Sequence, residues 1–350
     1  MSDAAMRAAI VVGAGLAACL GTRALIPLLI RAAMLDRPNE RSSHYAPTPR
    51  GGGIAVVAAV VLAWLALAAQ GLTTALPWPV LAGGVLLALV SWIDDRRGLA
   101  PLPRLVAQFA AIGAGMAALH PAGTVFQGWL PPAADGAATA LLWVWFVNLF
   151  NFMDGIDGLA GSEAAAIGTG LAMFAALGIG RDPTLATPAA AAAAAALGFL
   201  VWNWAPARIF LGDVGSVPLG YLLGFLLLSA ASGGHWRLAL ILPLYFLADA
   251  TITLARRLLR GERVWQPHRE HFYQRAVRRG LGHAAVVRRV LAADLALIAL
   301  GWAAENGWGV AAPIVAVILV LALLASLAGL RQRGAPPIPA ASPRAEEKPP

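Results

Sequence analysis

Apolar runs cover residues 8–30, 53–70, 78–93, 104–119, 139–153, 159–179, 188–204, 215–230, 238–255, 287–303 and 310–330. Runs of this length and number leave few folds open. A hydrocarbon layer about 30 Å thick takes roughly 20 apolar residues of helix to cross, and inside it every backbone N–H and C=O must be bonded within the protein. The runs therefore predict an all-α, polytopic membrane protein of about eleven transmembrane helices, several of them near the lower length limit. Composition agrees, because hydrophobic residues make up 59% of the chain and charged residues only 13%, outside the soluble range. The first run follows Arg7 and shows no small-residue cleavage site, so it reads as a span and not as a removed signal. Cys19 is the one cysteine, which excludes an intrachain disulfide. Arg181-Asp182-Pro183-Thr184 is a breaker ahead of the alanine run 189–196. Residues 1–333 read as one integral-membrane domain, and 334–350, rich in Pro, Ala and charge, as a disordered tail.

The net charge of +8 raises the question of nucleic acid, but the arginines sit at the ends of the runs, where membrane orientation explains them better. With 31–52, 94–104, 205–213, 256–289 and the C-terminus on one side, only Arg7, Arg181 and Arg237 fall on the other, and Arg23 lies within a run. That leaves 22 of the 26 Lys and Arg on the first side. The bias predicts a cytoplasmic C-terminus, an N-terminus outside and an odd number of spans.

The polar residues that interrupt the pattern fall on that same side. Asn148, Asn151, Asp154 and Asp157 recur every three residues at the junction of two apolar runs. On a helix, groups so spaced form a slowly drifting stripe. Gly155 and Gly158 would leave the backbone bare for a ligand. The alternative is a polar helix end with a glycine turn, which has no need to aim four acceptor-bearing side chains one way. Asp94 and Asp95 point about 100° apart on a helix, so one faces a site and the other supports it, with Arg104 and Gln108 close behind. A salt-bridged surface turn is the competing reading. Gly212-Asp213-Val214-Gly215-Ser216 sets one carboxylate between glycines, suited to Mg²⁺, and Phe210 offers a ring face to a base. A helix N-cap would use Asp213 equally well. Arg50 precedes Gly51-Gly52-Gly53, whose N–H groups could approach an anion or merely start a helix. His268 and His271, three apart in the most basic loop, suit phosphate donors. A solvated basic face and zinc are the other readings, the latter short of ligands. His120, His235 and His283 stand alone and carry no assigned role.

Taken in order, these signals resemble the motifs of the polyprenyl-phosphate N-acetylhexosamine-1-phosphate transferase family, glycosyltransferase family 4. Asp94-Asp95 with Leu99, Pro101 and Gln108 is similar to its Asp-Asp motif. Asn148 to Ala160 is similar to its Asn-x-x-Asn-x-x-Asp-Gly-x-Asp-Gly-Leu motif, Gly212 to Ser216 to its Gly-Asp-x-Gly-Ser motif, and His268-x-x-His271 to its late histidine motif. The similarity spans roughly residues 8–330. His268-Arg269-Glu270-His271, in place of three consecutive histidines, and the loop from Pro38 to His44 resemble the branch that begins O-antigen and other surface glycans, not the phospho-MurNAc-pentapeptide translocase. Many members carry Lys where this chain has Arg104, which is not a neutral exchange at a phosphate.

The resemblance implies transfer of an N-acetylamino-sugar 1-phosphate from a UDP-sugar to undecaprenyl phosphate, with UMP released. It implies Asp94, Asp95, His268 and His271 as catalytic residues and Asp213 as the ligand of Mg²⁺ or Mn²⁺. Arg50, Arg104, Asn148, Asn151, Asp154, Asp157 and Phe210 would bind substrate. A direct displacement is preferred over a phospho-aspartyl intermediate. The implied partners are undecaprenyl phosphate, the UDP-sugar and the bilayer of a bacterial inner membrane, with a homodimer open and nucleic acid excluded. A transporter is the reading from another class. Its carboxylates should lie near the bilayer midplane between repeats, whereas these gather at one face of a chain without a repeat. The charge bias makes a first test. A reporter active only in the cytoplasm should work when fused after Leu330, and a silent fusion there beside an active one at Ser2 would overturn the orientation.

Overall fold

In the computed structural model, residues 2–36, 46–73, 78–119, 123–177, 183–264, 266 and 268–329 are described. The expectations for residues 37–45, 181–182, Pro267 and the 330–350 tail lie outside them. Among the described residues the fold is all-α apart from a two-residue antiparallel pair, β1 (Leu35–Asp36) and β2 (Thr48–Pro49). The helices are α1 (Asp3–Arg31), α2 (Gly53–Ala69), α3 (Trp78–Arg97), α4 (Pro101–Leu119), α5 (Pro132–Phe152), α6 (Leu159–Leu177), α7 (Pro183–Asn203) and α8 (Asp213–Ala230). After a π turn come α9 (Trp236–Ile241), α10 (Leu244–Leu259), α11 (Phe272–Arg278), α12 (His283–Ala303) and α13 (Ala311–Ala328).

Among the described residues eight helices are long and apolar enough to cross a membrane, counting α8 to α9 as one. The chain is thus a polytopic membrane protein. Helix α2 is equally apolar but has 17 residues, about 26 Å at 1.5 Å per residue. The expected run 238–255 is divided at Pro243, whose missing N–H and ring interrupt the ladder between α9 and α10. Helices α4, α5 and α7 begin earlier than their apolar runs, each with proline as its first residue, where the absent N–H costs nothing.

Helix α8 is the axis of the bundle. Every residue in it is buried except Asp213 and Ser229. It packs against α2, α3, α4, α5, α6, α7 and α9. Its middle is tied to α5 and α4: the Trp143 and Tyr221 rings stack 4.8 Å apart, Trp143 Nε1 donates to the Tyr221 carbonyl, and the Tyr221 hydroxyl donates to the Ala111 carbonyl. Val12, Leu16 and Leu20 on α1 and Ile314, Ile318 and Leu321 on α13 are exposed. That reverses the soluble pattern and presents hydrocarbon to lipid.

Between apolar helices in lipid the hydrophobic effect favours no particular contact, so small residues and close backbone approach hold them together. Helices α1 and α7 meet this way, and a Cβ on Gly198 would lie 2.1 Å from the Gly15 carbonyl oxygen. Gly198→Val should therefore force α1 away from α7 at a cost of about 1–3 kcal/mol. A lower melting temperature in detergent is expected, and an unchanged one would show that this contact does not hold the helices.

Candidate active site

Helices α2, α6, α8 and α12 start, and α3, α5, α7 and α10 finish, at one end of the bundle, and polar side chains knit those ends together. The side chain of Asp95, at the end of α3, is 1% exposed. Its Oδ1 and Oδ2 accept the N–H groups of Asp213 and Val214, the first orphan donors of α8. The Arg50 Nη2 lies 2.9 Å from Asp95 Oδ1 and 2.6 Å from Asp213 Oδ1. Asn151 Nδ2 donates to the same Asp213 oxygen at 3.1 Å and to Ser216 Oγ at 2.8 Å. Asp213 Oδ2 remains, 3.9 Å from Arg104 Nη1.

Asp94, the neighbour, turns the other way. Its oxygens accept from Leu99 N at 2.6 Å and Arg104 Nη1 at 2.8 Å. Asn148 and Gln108 face each other as an amide pair, with Asn148 Nδ2 donating to Gln108 Oε1 at 2.7 Å. Asp94, Arg104, Gln108, Asn148, Asn151 and Asp213 supply the polar lining of a cavity of about 170 Å³. Leu87, Val90, Leu105, Phe152 and Val217 supply its apolar lining. Asp95 does not line that cavity; with Arg50, Asp36 and Arg96 it lines a separate polar recess.

The regular spacing of Asn148, Asn151, Asp154 and Asp157 does not become a helical stripe. Helix α5 ends at Phe152, and the two carboxylates lie in the turn beyond it. Asp157 faces away from the cavity: its Oδ2 accepts from Ala207 N at 3.0 Å, and its Oδ1 is 3.2 Å from His283 Nδ1. The glycines of the turn are not bare for a ligand either. A Cβ on Gly155 would lie 2.1 Å from the Tyr273 hydroxyl, and Gly158 has φ +80° with Trp204 beside it. Gly51 and Gly52 both donate to the Phe210 carbonyl, and Gly53 to that of Leu211. Their N–H groups are thus spent on chain packing and not on an anion, while a Cβ on Gly53 would lie 2.1 Å from Gly215 Cα. Phe210 pairs through its backbone with Pro49 and Arg50.

The late loop hangs from Arg257, which bonds Glu262 at 2.8 Å and the Gln266 carbonyl at 3.2 Å. His268 is half-buried and its Nδ1 accepts from Glu270 N, leaving Nε2 as the N–H of the neutral ring. Burial, then His271 and Arg257, push that imidazole down to about 4. His271 is 2% exposed, its ring 4.8 Å from His268, and its Nδ1 faces Asp249. Sequence reasoning passed over Ser216, Tyr273, His283 and Asp249. The last had a visible signal, a lone carboxylate inside the apolar run 238–255.

Asp94, Asp95, Asp154 and Asp213 gather around Arg50 and Arg104, so carboxylates outnumber the guanidiniums there two to one. Among the described residues no group of three or more His, Cys, Asp or Glu is arranged to hold a metal. A cation fits this donor set only in the manner of Mg²⁺, through one or two carboxylates with water and phosphate oxygens completing the shell.

Compared with known proteins, residues 77–231 match the family model described as glycosyl transferase family 4. A decaprenyl-phosphate N-acetylglucosaminephosphotransferase of Mycolicibacterium smegmatis is 31% identical, over 88% of this chain and 84% of its own length. An undecaprenyl-phosphate alpha-N-acetylglucosaminyl 1-phosphate transferase of Yersinia pestis is 30% identical, over 77% of each. A phospho-N-acetylmuramoyl-pentapeptide-transferase of Synechococcus elongatus is 34% identical, over 56% of this chain and 58% of its own.

Asp154 gives a pH test. Burial pushes its carboxyl up to about 7; Arg50 works against the shift and Asp213 and Asp95 add to it. The folded state then holds a proton that an unfolded Asp, near 3.9, has lost, so stability falls as pH rises from about 4 to about 7. In EDTA, the melting temperature should drop less between pH 5 and pH 8 for Asp154→Asn than for wild type. Parallel curves would show that Asp154 titrates like a solvated carboxyl.

Proposed function

The chain belongs to the polyprenyl-phosphate hexosamine-1-phosphate transferases of glycosyl transferase family 4, and we propose that it transfers N-acetylglucosamine 1-phosphate from UDP-N-acetylglucosamine to undecaprenyl phosphate. The observation that carries this reading is the mixed lining of the cavity between α3, α4, α5 and α8. A lipid phosphate needs cations and amides for its head and hydrocarbon for its tail. Arg104, Gln108, Asn148 and Asn151 line that space together with Leu87, Val90, Leu105 and Val217.

An oxygen of the lipid phosphate attacks the β-phosphorus of the UDP-sugar, and the bond from that phosphorus to the oxygen of UMP breaks. A phosphate monoester is largely ionised near pH 7, so the attack needs no base. What it needs is alignment and neutralisation, since anion meets anion. Arg104, held by Asp94, meets the lipid phosphate. Arg50, held by Asp95, neutralises the diphosphate side. Asp213 would hold Mg²⁺, which would supply Lewis-acid stabilisation of the charge on the transferring phosphorus. Asn151 fixes the rotamer of Asp213 by bonding its Oδ1. His268, neutral with its N–H at Nε2, donates to a phosphate oxygen without changing the charge of the site. The site faces the cytoplasm of a bacterial inner membrane, where UDP-sugars are made, and the product begins a surface glycan such as O-antigen. The Synechococcus relative supports a second reading, in which UDP-MurNAc-pentapeptide is the donor.

Purified protein in detergent with undecaprenyl phosphate and Mg²⁺ should release UMP from UDP-N-acetylglucosamine. Asp213→Asn should lower the rate on the order of a hundredfold, the equivalent of several kcal/mol of charge stabilisation, with little change in melting temperature. Turnover confined to UDP-MurNAc-pentapeptide would favour the second reading. Near-normal turnover of Asp213→Asn would remove Asp213 as the metal ligand.

A further inference from the structure

Asp249 lies in the middle of α10 and is 0% exposed. A lone carboxylate so buried is costly unless donors replace its water. Five do. Oδ1 accepts from the Thr253 hydroxyl at 3.3 Å, from Phe272 N at 3.0 Å and from His271 Nδ1 at 3.1 Å. Oδ2 accepts from the Tyr245 hydroxyl at 3.3 Å and Tyr273 N at 3.2 Å. A carboxylate has no proton to give, so the His271 tautomer is decided: Nδ1 carries the hydrogen.

Three of those donors come from consecutive residues of the late loop. Phe272 and Tyr273 open α11, and their N–H groups are orphans of its first turn. Asp249 thus caps α11 from another helix while fixing the histidine before it. The segment then fixes groups on both of its sides. On one side the His271 ring lies 4.8 Å from His268. On the other, the Tyr273 hydroxyl donates to the Phe152 carbonyl at 3.0 Å and fills the space beside Gly155, next to Asp154.

We propose that Asp249 is a positioning residue of the transferase: it fixes the ring and tautomer of His271, and through His271 and Tyr273 holds His268 and the Asp154 turn in register. The proposal rests on the function given above. Asp249 touches no substrate, so its loss acts on turnover and not on donor affinity. It also differs from an ordinary capping contact, because both of its oxygens are needed: Phe272 N and His271 Nδ1 share Oδ1 and Tyr273 N takes Oδ2, so an amide would turn its NH₂ toward one of these donors.

Asp249→Asn and Asp249→Glu, with ¹⁵N-histidine labelling in detergent and His271→Gln to assign the signal, make the test. For Asp249→Asn, kcat with UDP-N-acetylglucosamine should fall about tenfold to a hundredfold, as for other partners that orient a site histidine. KM should stay within about twofold, and the His271 signals should lose the pure Nδ1–H pattern. Asp249→Glu, which restores an acceptor-only group, should recover the pattern and part of kcat. An Asn variant with wild-type kcat and tautomer overturns the proposal. So do two variants that both lose activity in step with their melting temperature, which would make Asp249 merely structural. If the wild-type chain turns over no UDP-sugar, the function falls, while the His271 signals still decide what Asp249 does.

Discussion

One guanidinium shared by two carboxylates holds the site together. Arg50 follows β2, Asp95 ends α3 and Asp213 begins α8, so three separate parts of the chain are joined by contacts of 2.9 and 2.6 Å. Burial works against the charge on Arg50, but Asp213 and Asp95 outweigh it and push the guanidinium further up. Asp95 is the more deeply buried of the two carboxylates, and two N–H groups of α8 complete its bonding and offset part of the cost of burying it. The central helix of the bundle therefore cannot shift along its axis without moving Asp213, and Asp213 cannot move without breaking the contact with Arg50.

The rest of that end of the bundle repeats the device with other groups. Asn203 at the end of α7 accepts from Gly158 N and donates to the Ile209 carbonyl, binding the α5–α6 turn to the approach to α8. Asp157 joins that turn to His283 at the head of α12. Asp249 seats α11 against α10. These bonds are directional, in contrast to the close packing of Gly15, Ala194 and Gly198 between α1 and α7. Small residues set how near two helices approach, and hydrogen bonds to buried carboxylates set the register of their ends.

In the proposed reaction two anionic substrates meet at this end of an apolar bundle. The polar groups are already bonded to each other, so little reorganisation remains when a phosphate arrives. The division within Asp94-Asp95 follows the same logic. One residue orients Arg104 at the cavity wall, and its neighbour, about 100° round the helix, secures the helix that carries Asp213.

Much of this was legible in the residues themselves. Apolar length and composition determined an all-α membrane protein, because backbone in hydrocarbon has no other way to bond itself within a span. The rarity of carboxylates in such a chain determined where to look, so Asp94, Asp95, Asp154 and Asp213 stood out. Their direction was not legible. Even spacing suggested that Asn148 through Asp157 share one face, but α5 stops at Phe152, and what Asp157 points at depends on Ala207 and His283, 50 and 126 residues further on. The glycines after Arg50 and Asp154 announced close approach without saying of what. Only the packed helices decided that it is Phe210, Gly215 and Tyr273 that come near. Periodicity reports a neighbourhood within a single element, whereas the partner of a buried charge is chosen by whichever distant segment the tertiary fold brings within hydrogen-bond reach.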